Sequence, residues 1–388
     1  LSDFSNLPNP TDLLAKLVAF DTTSAKSNLP LIDFVQDYLS VHGVAARLVP
    51  TEDGKKAGLF ATIGPVDKAG VALSAHTDCV PVTGQSWSSD PFTLTAKDGK
   101  LYGRGTCDMK GYIACVLASV PAFLAADLAE PVHIALSYDE EVGCVGVRPM
   151  LDLFGNTLPV PRAAIIGEPT RMGVVDAHKQ IDIYAMTVSG LAGHSSEPDK
   201  GVNAIRYAAE LIVELQRLSA KVAETHRDDR FSPPYTTAEA GTIEGGTATN
   251  IIPKTCRFEW LMRSLPVEGA ARIPAELMDF AERELLPKMR AVSDETGIEM
   301  LQEEHVPGFQ APEGSEAVAL ALSLTGQNAT GAVSFTTEAG LFEQAGCSAV
   351  VCGPGDIAQA HAPDEFISVD QLDACMAFLA KLTDRLSR

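Results

Sequence analysis

The chain is short of basic residues, of paired cysteines and of long apolar runs, and each shortage excludes a class of protein. Lysine and arginine number 30 against 51 aspartates and glutamates, a formal net charge of −21 over 388 residues. Such a balance argues against a nucleic-acid-binding surface and favours solubility. The 8 cysteines, at positions 79, 107, 115, 144, 256, 347, 352 and 375, form no C-x-x-C pair. Several sit inside apolar stretches, so reduced, buried thiols are expected rather than a disulfide framework or a structural zinc site. No uninterrupted apolar run approaches the roughly 18 residues of a membrane-spanning helix. The opening residues, Leu-Ser-Asp-Phe-Ser-Asn-Leu-Pro, lack a basic-then-apolar leader pattern. No membrane partner is expected, and cytoplasm is the expected compartment. A Walker loop and a Gly-x-Ser-x-Gly elbow are both missing. Gly353-x-Gly355-x-x-Ala358 imitates a dinucleotide fingerprint, but Pro363 follows too soon for the helix that motif requires.

What is present is an ordinary globular composition, 46% hydrophobic and 21% charged, in a chain long enough for two domains. Thr11 is expected to cap a first helix with Leu13, Leu14, Leu17 and Val18 on one face. A second helix is expected over residues 30–42, ended by Gly43. Apolar runs at 45–49, 59–63, 71–75, 132–137 and 163–166 read as strands. Residues 110–126 read as a buried helix broken or kinked near Pro121, and 145–154 as another helix. Strands alternating with helices imply a largely parallel sheet covered on both faces.

From about residue 180 the pattern changes to polar–apolar alternation. Segments 180–190, 236–244, 254–263 and 298–302 read as strands. Between them lie a helix at 202–218, with Ile205, Ala209, Ile212, Leu215 and Leu218 on one side, and a helix at 274–293 bent by Pro287. That is the ferredoxin-like order. The first pattern returns at 307, with a helix at 315–324, strands at 331–335 and 348–352, and a last helix opened by a capping box of Ser368 and Gln371. The expected fold is α/β, a largely parallel mixed sheet flanked by helices, carried by residues 1–179 and 307–388. An inserted ferredoxin-like α+β domain occupies 180–306.

Chemistry-bearing residues stand just past the apolar strands: His76, Glu140 with Glu141, Glu168 and, further out, His361. Open α/β sheets place their sites beyond the carboxyl ends of strands. Asp108, in the glycine-bracketed turn Gly103 to Gly111, is placed to approach the same edge. So many carboxylates would resist ionising together unless cations were present. Two divalent cations resolve this, with Asp108 between them, His76 and Glu168 completing one site, and Glu141 and His361 the other. Glu140 is left over beside a ligand, where it could take a proton from water and pass it to a leaving amine. Asp78 falls on the same face of an extended chain as His76 and could accept the imidazole's second N–H. Mixed N/O ligands suit zinc, with cobalt or manganese as alternatives. Hydrolysis of an amide is the reaction such a site serves best.

At these residues the chain resembles the co-catalytic two-metal amidohydrolase family, which includes deacetylases, desuccinylases, aminoacylase and carboxypeptidase G. The likeness runs in family order from His76-Thr77-Asp78 to His361-Ala-Pro363-Asp-Glu365. It implies Glu140 as acid/base and Asp78 as the residue orienting His76. The inserted segment resembles that family's lid and dimerisation domain. Gly193-His194-Ser195-Ser196 matches the segment whose histidine steadies the oxyanion in a neighbouring subunit, which implies a homodimer. Asn250 and Arg263 match substrate-holding positions. Gly167-Glu168-Pro169-Thr170, Ala177-His178-Lys179 and the Gly353–His361 segment look most like the acetylornithine deacetylase branch, although Gln180 stands where a glycine is common there. That branch implies removal of acetate from N2-acetyl-L-ornithine, with Glu338 expected to receive the substrate's side-chain ammonium. The alternatives are another N-acyl-amino-acid hydrolase, a desuccinylase or dipeptidase of the family, or a non-catalytic metal-binding protein on the same fold.

Overall fold

The computed structural model describes residues 9–266 and 272–387, which form two compact units. The first holds the described residues up to Asp176 together with Ala311–Gly331 and Thr337 onward; the second holds Ala177–Gln310 and Ala332–Thr336.

The first unit is built on a mixed sheet whose strands run, side by side, Ala46–Pro50, Ala57–Ile63, Val132–Ser137, Val71–His76, Ala163–Pro169 and Ser348–Gly353. The last four pair in parallel and the first two antiparallel. The central strands Val71–His76, Val132–Ser137 and Ala163–Pro169 are buried at every position, so they read as continuous apolar runs rather than alternating ones. Glu168 therefore lies within its strand, not beyond it as expected. Gly167 and Gly353 meet where two strand ends cross: a Cβ on Gly353 would sit 2.0 Å from the Gly167 carbonyl oxygen. Only glycine permits that approach.

Helices flank the sheet. Pro10–Val18 buries Leu13, Leu14, Leu17 and Val18, but its cap is Asn9, whose side chain accepts from the Thr11 N–H. Pro10 at the first helical position needs no N–H partner, which moves the start two residues ahead of the expected one. Leu29–Val41 ends at His42, before Gly43 with φ of 76°. Gly111–Ala125 is buried on nearly all sides and runs straight through Pro121 without interruption. Pro121 leaves the Leu117 carbonyl without its helical donor, and the Tyr38 hydroxyl supplies one at 3.0 Å. Thr106–Ala125 is long and apolar enough to cross a membrane by length and composition, yet most of it is buried inside the unit. Only Arg148–Leu151 is helical in the expected 145–154 stretch. The expected capping box does not form: Ser368 makes no side-chain cap, and the Gln371 side chain accepts from the Gly355 N–H instead. All 8 cysteines are free and buried.

In the second unit an antiparallel sheet runs Thr237–Gly245, Thr255–Ser264, Gln180–Ser189, Gly297–Val306, which is the ferredoxin-like strand order. Helix Ala204–Thr225 buries Ala204, Ala208, Leu211, Leu215, Leu218 and Val222. Leu215 and Leu218 are buried as expected, but in the first half of the helix the buried positions lie one residue earlier than the expected ones, and Ile205 and Ala209 are exposed. Near Pro287 the second helix is interrupted: Arg272–Phe280 passes through a widened turn, Ala281–Leu285, into Leu286–Arg290.

Candidate metal centre

Parallel register brings the chemistry together. His76 ends its strand opposite Ser137, and the Thr77 N–H continues the ladder by donating to the Ser137 carbonyl at 3.0 Å. Glu140 and Glu141 follow in the next turn. That turn is pinned at both ends. Asp139, with φ of 53°, takes both carboxylate contacts from Lys56 at 2.6 and 2.7 Å. The Asp78 carboxylate accepts the main-chain N–H groups of Glu140 and Glu141 at 3.1 and 3.3 Å and the Ser24 hydroxyl at 2.7 Å. Asp108 comes from an irregular turn ahead of helix Gly111–Ala125, with a cis peptide to Met109. His361, with φ of 63°, follows the short turn Ile357–Gln359.

Two donor groups result, His76 with Asp108 and Glu168, and Asp108 with Glu141 and His361; in each the ligand atoms lie within 4.8 Å of one another. Asp108 divides its oxygens between them. Oδ1 is 3.0 Å from His76 Nε2, and Oδ2 is 3.3 Å from His361 Nε2. His76 Nε2 is 3.7 Å from Glu168 Oε1, and His361 Nε2 is 3.0 Å from Glu141 Oε2. Metal–ligand bonds of 2.0–2.2 Å in a tetrahedron put ligand atoms roughly 3.3–3.6 Å apart. The observed spacings bracket that range, so the donor sets fit small divalent cations. His76 turns Nδ1 to the Asp78 carbonyl at 3.0 Å, with the Asp78 carboxylate at 3.4 Å. Its Nε2 is thereby left toward Asp108, the arrangement of a ligand histidine held from behind.

The electrostatics agree. Burial, then Asp108, pushes the Glu168 carboxyl well above the ordinary glutamate range. Burial pushes Glu140 well up despite His76, helped by Glu141, Asp108 and Glu338, and raises Glu141. Hydrogen bonds to Asp108 and Glu141 raise His361 to about 10. Burial works against the Asp108 carboxylate, yet His361 and His76 hold it below the usual range. The nearby lysines are engaged elsewhere, Lys56 on Asp139 and Lys110 on the Phe20 carbonyl at 2.8 Å. This donor chemistry calls for compensation by cations.

The remaining expected residues are not members of these two donor groups. Glu338 is in the first unit, 1% exposed, between Ser74, whose hydroxyl is 3.4 Å away, and Ser137. Burial raises its carboxyl to about 7. His194, Asn250 and Arg263 belong to the second unit. There the His194 and Asn250 loops pair: Ser195 N–H donates to the Asn250 carbonyl at 3.1 Å and Ile252 N–H to that of Gly193 at 2.8 Å. His194 Nδ1 lies 2.7 Å from the Ser196 hydroxyl. Arg263, half-buried, reaches the Ser334 carbonyl at 3.4 Å. Sequence reasoning missed Ser24, Lys56, Arg104 and Glu365, all of which hold the site's loops. The available signals were an arginine flanked by glycines just ahead of Asp108 and the place of Glu365 at the end of the His361 motif.

The model of peptidase family M20/M25/M40 matches residues 72–385, and the chain belongs to that family of hydrolases. Among curated relatives, an acetylornithine deacetylase of Myxococcus xanthus is 38% identical over 97% of both chains, and one of Proteus mirabilis is 35% identical over 97% of both. The fold matches aminopeptidase PepT of Bacillus cereus (TM-score 0.76, 19% identity, 98% of both chains). It also matches the Bacillus subtilis YXEP protein, described as a dinuclear metal-binding peptidase (TM-score 0.68, 16% identity, 97% of both chains).

Proposed function

We propose that this chain hydrolyses N2-acetyl-L-ornithine to L-ornithine and acetate, with two divalent cations, zinc by preference, as cofactors. The observation that carries the reading is Asp108, whose two oxygens face two separate donor groups. The curated relatives support the substrate, since they are acetylornithine deacetylases matched along 97% of the chain.

In this reading His76, Asp108 and Glu168 hold one cation, and Asp108, Glu141 and His361 the other. Bound there, the pair would polarise the acyl carbonyl and acidify water. Glu140 takes the proton from the attacking water and returns it to the departing nitrogen, so water and amide become acetate and amine. A buried carboxyl with a raised proton affinity suits that exchange. Asp78 fixes the Glu140–Glu141 turn and the His76 ring together. Residues 180–306 act as lid and dimerisation domain, with His194 from a second copy steadying the oxyanion. Asn250, Arg263 and Glu338 hold the amino-acid part of the substrate.

The test is amine release from acetylornithine, succinyl-diaminopimelate, acetylmethionine and a dipeptide by zinc- or cobalt-loaded protein, beside Glu140→Gln. Preference for acetylornithine with a loss of about 10²–10⁴-fold in the variant is expected. Turnover of another substrate would overturn the substrate assignment. Bound metal without hydrolysis of any amide would overturn the enzymatic reading.

A further inference from the structure

Two kinds of ligand meet in this centre. His76 and Glu168 sit on strands, where sheet register fixes their backbone. Asp108 and His361 sit on irregular segments with no ladder to hold them. Both segments end on the same buried guanidinium. Arg104, 1% exposed, donates from one terminal nitrogen to Glu365 Oε2 at 2.6 Å and from the other to Gln85 Oε1 at 2.5 Å. Glu365, also 1% exposed, uses its second oxygen to accept the main-chain N–H groups of Cys107 and Asp108 at 2.9 and 3.1 Å. Gln85 uses its amide nitrogen to donate to the His361 carbonyl at 2.8 Å. The Trp87 indole N–H donates to the same Gln85 oxygen at 3.1 Å, and its ring lies 5.1 Å from the guanidinium carbon.

We propose that Arg104 is a positioning residue that sets the separation of Asp108 and His361 through Glu365 and Gln85, and so tunes the Asp108–Glu141–His361 cation site. It touches neither ligand side chain. A planar guanidinium holds acceptors in two fixed directions, which a lysine ammonium cannot do. A buried charge pair is costly to keep unless its other hydrogen-bonding capacity is filled; here both Glu365 oxygens and both terminal nitrogens of Arg104 are engaged, while Arg104 Nε has no partner among the described residues. The two arms are separable. Cutting at Gln85 frees the His361 segment and one Arg104 nitrogen but leaves Arg104 on Glu365, whereas changing Arg104 loosens both segments. This inference rests on the two-cation reading above.

The experiment is calorimetric titration of metal-free protein with Co2+, with visible absorption followed in parallel, for the native chain, Gln85→Ala, Arg104→Lys and Glu141→Gln. The native chain is expected to bind two Co2+. Glu141→Gln identifies which step belongs to the Asp108–Glu141–His361 site. Gln85 is half-exposed, so its alanine variant is expected to fold, and it should weaken that step by about 10–100-fold with the other step unchanged. At limiting Co2+ its kcat should fall with KM unaltered, and excess Co2+ should restore kcat. Arg104→Lys should weaken both steps; should it fail to fold, Gln85→Ala decides alone. Both constants unchanged in Gln85→Ala, or both weakened equally, would overturn the proposal while leaving the two-cation reading standing. A native chain that binds fewer than two Co2+ would overturn that reading and the proposal with it.

Discussion

Removing the Asp78 carboxylate should weaken both stability and chemistry at this centre. Asp78 is 2% exposed and accepts from the Glu140 N–H, the Glu141 N–H and the Ser24 hydroxyl. The hydroxyl can rotate to another acceptor; the two main-chain groups cannot. A fully buried N–H left without a partner costs about 1–3 kcal/mol; these two are part-buried, so Asp78→Ala should lose no more than about 6 kcal/mol. Asp78→Asn keeps one oxygen and turns an NH2 toward a donor, so its loss should be about 1–3 kcal/mol. The asparagine variant is the informative one because it keeps the volume. With the Glu140–Glu141 turn released and the His76 ring less firmly held, metal affinity or turnover should fall about 10–100-fold. The assays are the denaturant midpoint, Co2+ titration and acetylornithine turnover. A pH series adds a sign. Although burial opposes the charged form, His76, Ser24 and the Glu140 N–H hold the Asp78 carboxyl below its ordinary value. Its contribution to stability is therefore present above the ordinary value of about 3.9 and is lost as pH falls through the lower folded value. Asp78→Asn should flatten that acid limb. Turnover and metal affinity within twofold of native, with an unchanged midpoint, would refute the reasoning.

Three further outcomes follow from the same geometry. Tyr38→Phe removes the hydroxyl that donates to the Leu117 carbonyl opposite Pro121 and should destabilise the protein by about 1–3 kcal/mol; denaturant unfolding measures this, and turnover should not change. In the metal-free protein His361 keeps its proton up to about 10, so cation binding at neutral pH must release it. Affinity should rise with pH, and calorimetry in buffers of different ionisation heat should show net proton release. Glu338→Gln should raise the KM for acetylornithine; an unchanged KM would remove Glu338 from the substrate's contacts, in keeping with its position between Ser74 and Ser137.

Much of the first unit was legible because its signals are local. Leu13, Leu14, Leu17 and Val18 recur at helical spacing, and Val132–Ser137 is a fully buried strand whose composition admits little else. The errors arose where partners distant in sequence decide. Ser368 and Gln371 spell a capping box, yet Gln371 is taken by the Gly355 N–H. Pro121 should interrupt a helix, but Tyr38, 79 positions from Leu117, supplies the missing donor. In the first half of helix Ala204–Thr225 a shift of one residue separates the expected face from the buried one, whereas Leu215 and Leu218 match, because several choices of stripe are nearly equally apolar there.

Residue type, neighbouring glycines and nearness to apolar runs mark His76, Asp108, Glu140, Glu141, Glu168 and His361 as candidates for chemistry. Their arrangement is a property of the folded chain. That Asp108 turns one oxygen to His76 and the other to His361 depends on contacts spanning up to 276 positions, such as Gln85 with His361. Local sequence can supply a ligand's chemistry, but angstrom-scale separations between ligands on different segments are set by the sheet register and buried hydrogen bonds that join those segments.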